Sequence, residues 1–158
     1  MLKSLAIGIA LLALIGFVLP PTPIEDSFVT LMGEPINLRQ WRGKPVVITF
    51  WATDCPACIQ EIPELIALYQ RFHARGLEIL AINMAYDPPS HVVAMVAARQ
   101  LPYPVALDVN GEHARAFGDV KLTPSSFLLT PDGVIALRYT GAFDSVELSA
   151  QIERLLKG

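Results

Sequence analysis

The hydrophobic positions along the chain predict alternating strands and helices. Residues 45–51 (PVVITFW) and 77–83 (LEILAIN) are short apolar runs, typical of strands buried on both faces of a sheet. Between them, apolar residues recur at helical spacing from residue 56 to about 75, which predicts a helix that Gly76 ends. Further short strands are expected at residues 28–31, 36–38, 105–107, 127–129 and 134–139, a helical turn or loop at 40–43, and helices at 87–99, 112–117 and 148–156.

The order of these elements predicts an α/β fold. A hairpin around the turn at residues 32–35 comes first, and a β-α-β-α-β-α series follows it. A second hairpin, around the Thr-Pro-Asp-Gly turn at residues 130–133, precedes the closing helix. Alternating strands and helices that end in an antiparallel hairpin indicate a mixed central sheet flanked by helices.

The N-terminus carries an apolar segment that predicts export. Residues 5–19 contain no charge, Lys3 precedes them, and the next charge is Glu25. This polarity predicts a cytoplasmic N-terminus and places the rest of the chain across the membrane. We expect residues 1–20 to be a single-pass anchor in the inner (cytoplasmic) membrane, with the domain on the periplasmic side. A cleaved signal peptide, which would leave a soluble periplasmic protein, and a buried core helix are the alternatives.

Composition limits the remaining possibilities. The 158 residues suffice for one domain, which we place at residues 27–158 after a proline-rich linker at 21–26. A net charge of −3 without a basic run gives no reason to expect nucleic acid as a partner. Cys55 and Cys58 are the only cysteines, and two cysteines this close cannot close a long loop. Their use is therefore expected to be chemical.

The position of the cysteine pair predicts redox activity. Cys55 and Cys58 directly follow a predicted buried strand and open a predicted helix. Unpaired N–H groups and the helix dipole stabilise a thiolate at a helix N-terminus, and Pro56 suits the first helical position. The i, i+3 spacing places both sulfurs on one face. We expect Cys55 to be exposed and to attack first, and Cys58 to resolve the mixed disulfide.

Metal binding and a structural disulfide are weaker interpretations of the pair. A structural zinc site needs two further ligands, and His73, His91 and His113 lie in separate predicted helices without ligand spacing. We therefore expect no metal, and no cofactor beyond the redox-active Cys55–Cys58 disulfide.

The sequence around the pair resembles a known family. Residues 51–63 (WATDCPACIQEIP) are similar to the W-A-x-x-C-x-x-C-x-x-E-x-P signature of TlpA-like proteins, the ResA and CcmG type of extracytoplasmic thioredoxin relatives. The likeness extends from about residue 24 to the C-terminus and includes RGKP at residues 42–45 and TPSSFLL at 123–129. It implies a thioredoxin fold with an N-terminal hairpin and an inserted strand and helix at residues 77–107, and a thiol–disulfide oxidoreductase activity.

The resemblance also implies roles for individual residues. Thr123-Pro124 resembles the cis-proline loop that lies against the cysteines and pairs with the substrate backbone, although an ordinary trans turn is the general expectation for such a bond. Trp51 and Pro56 are expected to contribute to substrate binding, with a core role as the alternative for Trp51. Glu61 is expected to assist proton transfer at the pair rather than to be a solvated helix carboxylate.

Three positions depart from related patterns. Thr49 stands where cytoplasmic thioredoxins have a buried aspartate, which leaves Glu61 as the obvious nearby acid. Asp54 replaces the usual tryptophan before the first cysteine, and Leu122 replaces a glycine often found before the cis-proline loop. We expect Asp54 to raise the pKa of the thiol and Leu122 to narrow the substrate groove.

The favoured function is reduction of disulfides in exported proteins, with electrons from a membrane donor of the DsbD or CcdA type. Cytochrome c maturation is a client pathway that the resemblance suggests. The alternative is a thioredoxin-fold copper-binding or metallocentre-assembly chaperone, but such proteins usually space their cysteines by three and add a histidine near the final hairpin. A peroxidase is weaker, because residues 48–55 lack the P-x-x-x-T-x-x-C arrangement.

Overall fold

The computed structural model describes residues 22–158, so the expected anchor at residues 1–20 lies outside the described residues. Among residues 22–158, no helix is both long enough and apolar enough to cross a bilayer. The strands are β1 Ser27–Val29, β2 Pro35–Asn37, β3 Val46–Trp51, β4 Glu78–Asn83, β5 Val105–Leu107, β6 Ser125–Leu129 and β7 Ile135–Thr140. The α-helices are α1 Pro56–Phe72, α2 Pro89–Arg99, α3 Glu112–Ala116 and α4 Ser145–Lys157, and two 3-10 turns span Leu38–Trp41 and His73–Arg75.

Strands β3 to β7 form one mixed sheet in the order β5-β4-β3-β6-β7. Strands β3, β4 and β5 run parallel, whereas β6 and β7 are antiparallel to their neighbours. The predicted mixed sheet flanked by helices is therefore confirmed. The N-terminal hairpin β1-β2 is separate, but Thr30 bridges to Ala106 of β5, so the hairpin lies against that edge of the sheet.

Strand β3 lies at the centre of the sheet and is buried along its whole length, as its apolar run predicted. Its side chains alternate between the two faces because successive residues of a strand point in opposite directions. Val47 and Trp51 belong to the core on the face covered by α1 and α4, and Ile48 and Phe50 belong to the core beneath the hairpin and α3. The sheet is thus covered on both faces.

Helix α1 ends as its sequence predicted. The helix gives way at His73 to a 3-10 turn, and Gly76 follows it with φ of 114°, a left-handed conformation that glycine adopts without strain. The chain then turns directly into β4. Because β3 and β4 are parallel neighbours, the start of α1, which follows β3, lies near the C-terminal end of β4.

The segment before β1 is attached to the domain. The N–H of Ile24 donates to the carbonyl oxygen of Gly133, and the N–H of Leu38 donates to that of Asp26. The Asp26 carboxylate also lies 2.9 Å from His113 Nδ1, which connects the segment to α3. Described residues 24–26 therefore run along the domain surface and make backbone contacts with it.

Candidate active site

The disulfide between Cys55 and Cys58 lies where β3 gives way to α1. Cys55 has an extended backbone (φ −101°, ψ 103°) and is the N-cap of α1. Pro56 occupies the first turn, where its lack of an N–H leaves no unpaired donor. The N–H of Cys58 donates to Cys55 Sγ at 3.2 Å. The sulfur therefore takes the capping position that a serine or aspartate oxygen usually fills, and a thiolate there would face the free N–H groups of the helix.

The two cysteines differ in exposure in the expected order, but the difference is small. Cys55 is 9% exposed and Cys58 is 3% exposed. The prediction that Cys55 is exposed is wrong for this disulfide form, in which the residue is buried because the bond to Cys58 holds its sulfur against the first turn of α1. Pro56 and Ala57, between them, are exposed, so a partner can approach the pair from that side.

Glu61 is buried behind the disulfide, one helical turn after Cys58. It is 5% exposed, and its Oε1 accepts a hydrogen bond of 2.8 Å from the backbone N–H of Phe143. Burial raises the pKa of Glu61 from 4.5 to about 7; the charge of Glu64 adds to the rise, and the Phe143 hydrogen bond partly opposes it. The sequence-based alternative, a solvated helix carboxylate, does not describe this side chain.

A small cavity joins Glu61 to the pair. It is lined by Thr49, Trp51, Cys58, Glu61, Ile62, Leu65, Ala81, Leu101 and Tyr103. Burial and the charge of Glu61 both raise the pKa of Tyr103, so that its phenol stays protonated at neutral pH. Glu61 and Cys58 therefore line one small cavity together with the protonated phenol of Tyr103.

Trp51 and Thr49 lie in the interior beneath the pair. Trp51 is 5% exposed and belongs to the same core cluster as both cysteines, and among residues 22–158 its Nε1 has no hydrogen-bond partner. Thr49, 2% exposed, accepts a hydrogen bond from the hydroxyl of Ser126 at 2.9 Å. Among the described residues that line the cavity, Glu61 alone carries a carboxylate.

The Thr123-Pro124 peptide bond is cis, as the resemblance implied. Pro124 directly precedes β6, and Ser125 of β6 pairs with Phe50 near the C-terminal end of β3. The loop therefore lies at the same end of the central strands as the cysteines. The carbonyl oxygen of Pro124 accepts from the N–H of Gly141, and Thr123 is only partly buried. Leu122 is 64% exposed beside this loop.

One polar cluster next to the pair was not predicted from the sequence. The carboxylate of Asp87 accepts hydrogen bonds from the backbone N–H and the hydroxyl of Thr53, both at 2.6 Å, and from Asn83 Nδ2 at 2.7 Å. Asp87 before two prolines predicts the start of a helix. The helix instead begins at Pro89, and its N-cap residue, Pro88, makes no side-chain capping bond. No signal in the sequence links Asp87 to Thr53, which is 34 positions away.

Within residues 22–158, no three His, Cys, Asp or Glu side chains are grouped so that they could hold a metal ion. His73, His91 and His113 lie in three different helical segments. The chemically reactive centre among these residues is the disulfide itself.

Comparison with known proteins agrees with this geometry. The family model described as Redoxin matches residues 21–154. The thiol-disulfide oxidoreductase ResA of Bacillus thuringiensis subsp. konkukian is 34% identical over 127 residues, which are 80% of this chain and 70% of the relative.

Solved structures show the same fold. A thiol:disulfide interchange protein of the thioredoxin family from Chlorobium tepidum superposes with a TM-score of 0.78 at 26% identity, covering 87% of this chain and 98% of that one. StoA from Bacillus subtilis superposes with a TM-score of 0.70 at 25% identity, covering 83% and 98%. With its strand–C-x-x-C–helix site, this chain belongs to the Redoxin family, as a ResA-type thiol-disulfide oxidoreductase of the thioredoxin fold.

Proposed function

We propose that this protein is an extracytoplasmic reductase of disulfides in exported proteins. The observation that carries the proposal is the buried carboxylate of Glu61, with a pKa of about 7, at the cavity that also contains Cys58. An ionised carboxylate near a thiol disfavours the thiolate, and a pair whose thiolate is poorly stabilised gains more from forming its own disulfide. Such a pair gives electrons to a client rather than taking them.

The exchange proceeds in two steps, and each step breaks one disulfide bond and forms another. The Cys55 thiolate attacks one sulfur of a client disulfide, which forms a mixed disulfide and releases the other client sulfur as a thiolate. Glu61, in its ionised form, takes the proton of the Cys58 thiol, and the Cys58 thiolate then attacks Cys55 Sγ. The second client thiolate leaves, the client has gained two electrons, and the Cys55–Cys58 disulfide remains.

The substrate contacts would come from the surface around the disulfide. The partly buried Thr123, next to the cis peptide bond, offers its backbone to an extended client segment, and Pro56 lies exposed beside Cys55. Trp51 lies beneath the pair, so its contribution would be to shape the floor of the site. We expect exported proteins as clients because this chain is similar to ResA and StoA.

Location and electron supply complete the proposal. The uncharged residues 5–19 behind Lys3 support an anchor in the cytoplasmic membrane with the domain outside it. A reductase in that compartment needs electrons carried across the membrane, so a donor of the DsbD or CcdA type would return the disulfide to two thiols. Clients in cytochrome c maturation fit this chemistry.

The direction of transfer is tested by the reduction potential of the pair in the full-length protein, equilibrated in detergent with defined thiol buffers. A reductase should lie near or below the value of thioredoxin, about −270 mV, whereas a value near that of DsbA, about −120 mV, would contradict the proposal. Stoichiometric copper binding without reduction of insulin would instead favour the metallochaperone alternative.

The location is tested with the same two sulfurs. Because Cys55 and Cys58 are the only cysteines, a membrane-impermeant maleimide added to intact, reduced cells should label this protein through them alone. The double variant C55S/C58S is the matched control for background. Labelling that requires prior lysis of the cytoplasmic membrane would contradict an extracytoplasmic domain.

A further inference from the structure

The loop between β3 and Cys55 is tied to the end of β4 by a buried carboxylate. Asp87 is 6% exposed, and both of its oxygens are used. Its Oδ2 accepts from the Thr53 N–H and from Asn83 Nδ2, and its Oδ1 accepts from the Thr53 hydroxyl. We call Thr53, Asn83 and Asp87 the Asp87 clasp.

The clasp also holds the start of the loop, next to Trp51. Asn83 Nδ2 also donates to the carbonyl oxygen of Trp51 at 3.3 Å, and the N–H of Met84 donates to the same oxygen at 3.0 Å. The N–H of Cys55 then donates to the carbonyl oxygen of Ala52, which closes the turn. The bonds from Asn83, Met84 and Cys55 fix backbone groups of the loop from Trp51 to Cys55, within four residues of the attacking sulfur.

The carboxylate is held as an anion without a salt bridge to any residue in the 22–158 range. Burial alone would raise the pKa of Asp87, but the hydrogen bonds from Thr53 and Asn83, with a smaller effect of His91, lower it below its ordinary value. Burying a charge that has only hydrogen-bond partners costs free energy. Losing one of those donors leaves the carboxylate partly unsatisfied and destabilises the arrangement. Its place beside the reactive pair therefore points to a role in that pair's geometry.

We propose that Asp87 is a positioning residue for thiol–disulfide exchange, which acts through Thr53 to hold Cys55 at the N-cap of α1. Only at that position does Cys55 Sγ receive the N–H of Cys58 and face the positive end of the helix. If the turn before Cys55 loosens, the sulfur leaves that position, its thiolate loses stabilisation and its approach to a client disulfide is misdirected. The inference concerns the exchange reaction itself and holds for either direction of electron flow.

The chain offers variants that separate positioning from general stability. Asp87→Ala removes all three hydrogen bonds. Asp87→Asn keeps them, because its oxygen can take the two N–H donors while its amide donates to the Thr53 hydroxyl. Asp108→Ala is the matched control: Asp108 is 1% exposed and accepts from the N–H groups of His113 and Ala114 at α3.

The experiment measures two properties of the reduced full-length protein: the pKa of Cys55 from the pH dependence of iodoacetamide alkylation, and the rate of reaction with 5,5′-dithiobis(2-nitrobenzoate). In the second reaction Cys55 displaces one thionitrobenzoate, Cys58 displaces the other, and the Cys55–Cys58 disulfide forms. Asp87→Ala should raise the thiol pKa and slow the exchange at least about tenfold. Asp87→Asn should remain within about threefold of the parent rate, since the geometry is kept.

The outcomes are decisive in both directions. Asp108→Ala should lose stability yet keep the parent's thiol pKa and exchange rate. An Asp87→Ala protein with the parent's pKa and rate would overturn the inference, as would an Asp108→Ala protein that shifts both to the same extent. Should Asp87→Ala fail to fold, Thr53→Val, which lacks the hydroxyl, should slow exchange and Thr53→Ser should restore it. Equal rates for these two variants would contradict the positioning role.

Discussion

Glu61 and Phe143 are joined by a hydrogen bond of 2.8 Å although they are 82 positions apart in the sequence. The bond ties the acid behind the disulfide to the residue just before the N-cap of α4. It occupies one of the two carboxylate oxygens of Glu61, the residue that lines the same cavity as Cys58. The position of the acid therefore depends on the C-terminal helix as well as on α1.

The first prediction concerns proton transfer by Glu61. Glu61→Gln removes the negative charge, so the pKa of the cysteine pair should fall, while turnover should slow by at least about tenfold because the base is lost. In insulin reduction driven by dithiothreitol, the pH–rate profile of the parent should show an inflection near the pKa of about 7, which the variant should lack.

Glu64→Gln is the control for this experiment. Glu64 is exposed on the same helix, and its charge contributes to the raised pKa of Glu61. The variant should move the inflection to slightly lower pH and leave the maximal rate unchanged. If Glu61→Gln keeps both the thiol titration and the turnover of the parent, Glu61 has no part in the reaction.

The second prediction is a pH dependence of stability caused by the same carboxylate. An acid with a higher pKa in the folded state than in the unfolded state binds its proton more tightly when folded, so its contribution favours folding below about pH 4.5. That contribution is lost as the pH rises from about 4.5 to about 7. At about 1.36 kcal/mol per pKa unit, the parent should lose roughly 1–3 kcal/mol from this group.

Urea unfolding of the oxidised protein at pH 5 and pH 8 measures this effect without interference from thiol titration. The free energy of unfolding of Glu61→Gln should change less between the two pH values than that of the parent, by roughly 1–3 kcal/mol. Parallel pH profiles for the two proteins would show that Glu61 has no raised pKa.

The third prediction concerns Asp54, which is exposed directly before Cys55. Its charge should disfavour the thiolate, so both Asp54→Asn and Asp54→Trp should lower the pKa of the Cys55 thiol. Alkylation rates across a pH series measure this change. If the asparagine variant leaves the titration unaltered while the tryptophan variant shifts it, the flat side chain rather than the lost charge is responsible.

Much of the fold was predictable because its elements are encoded locally. The apolar run of β3, the spacing of α1 and the glycine after it each identify an element from a few neighbouring residues. The strand order was less accessible, since the pairing of β3 with β6 joins residues such as Ile48 and Phe127 across most of the domain. No local pattern specifies such a pairing.

The active site shows the same division. Cys55 and Cys58 were identified from their spacing within one segment, whereas the expected role of Glu61 and the cis bond before Pro124 came from the family resemblance. The Phe143 bond to Glu61 and the Thr53 bonds to Asp87 arise only from tertiary contacts. Asp87 predicts a helix start that the structure places at Pro89, because an aspartate before prolines has the local chemistry of a helix start.

The fourth prediction concerns the core beneath the hairpin. Phe50 is fully buried, and its ring meets those of Phe117 at 5.4 Å and Phe127 at 5.9 Å in edge-to-face arrangements. Phe50→Ala should lower the free energy of unfolding by about 3–5 kcal/mol, because it leaves a cavity and removes the aromatic contacts. Val146→Ala, at a site 79% exposed, should change it by less than about 0.5 kcal/mol in the same urea titration.

The last prediction concerns the N-cap of α4, which follows the residue that holds Glu61. Asp144 Oδ1 accepts hydrogen bonds from the N–H groups of Val146 and Glu147, both at 2.9 Å. Asp144→Ala should lower the free energy of unfolding by about 1 kcal/mol, whereas Asp144→Ser should keep most of it because serine also caps well. Because the first turn of α4 follows Phe143 directly, loosening it should also lengthen the bond to Glu61 and raise the pKa of that acid. The inflection in the pH–rate profile should then move to higher pH in Asp144→Ala but not in Asp144→Ser, and an unmoved inflection in a destabilised Asp144→Ala protein would show that the cap stabilises the helix without influencing the redox site.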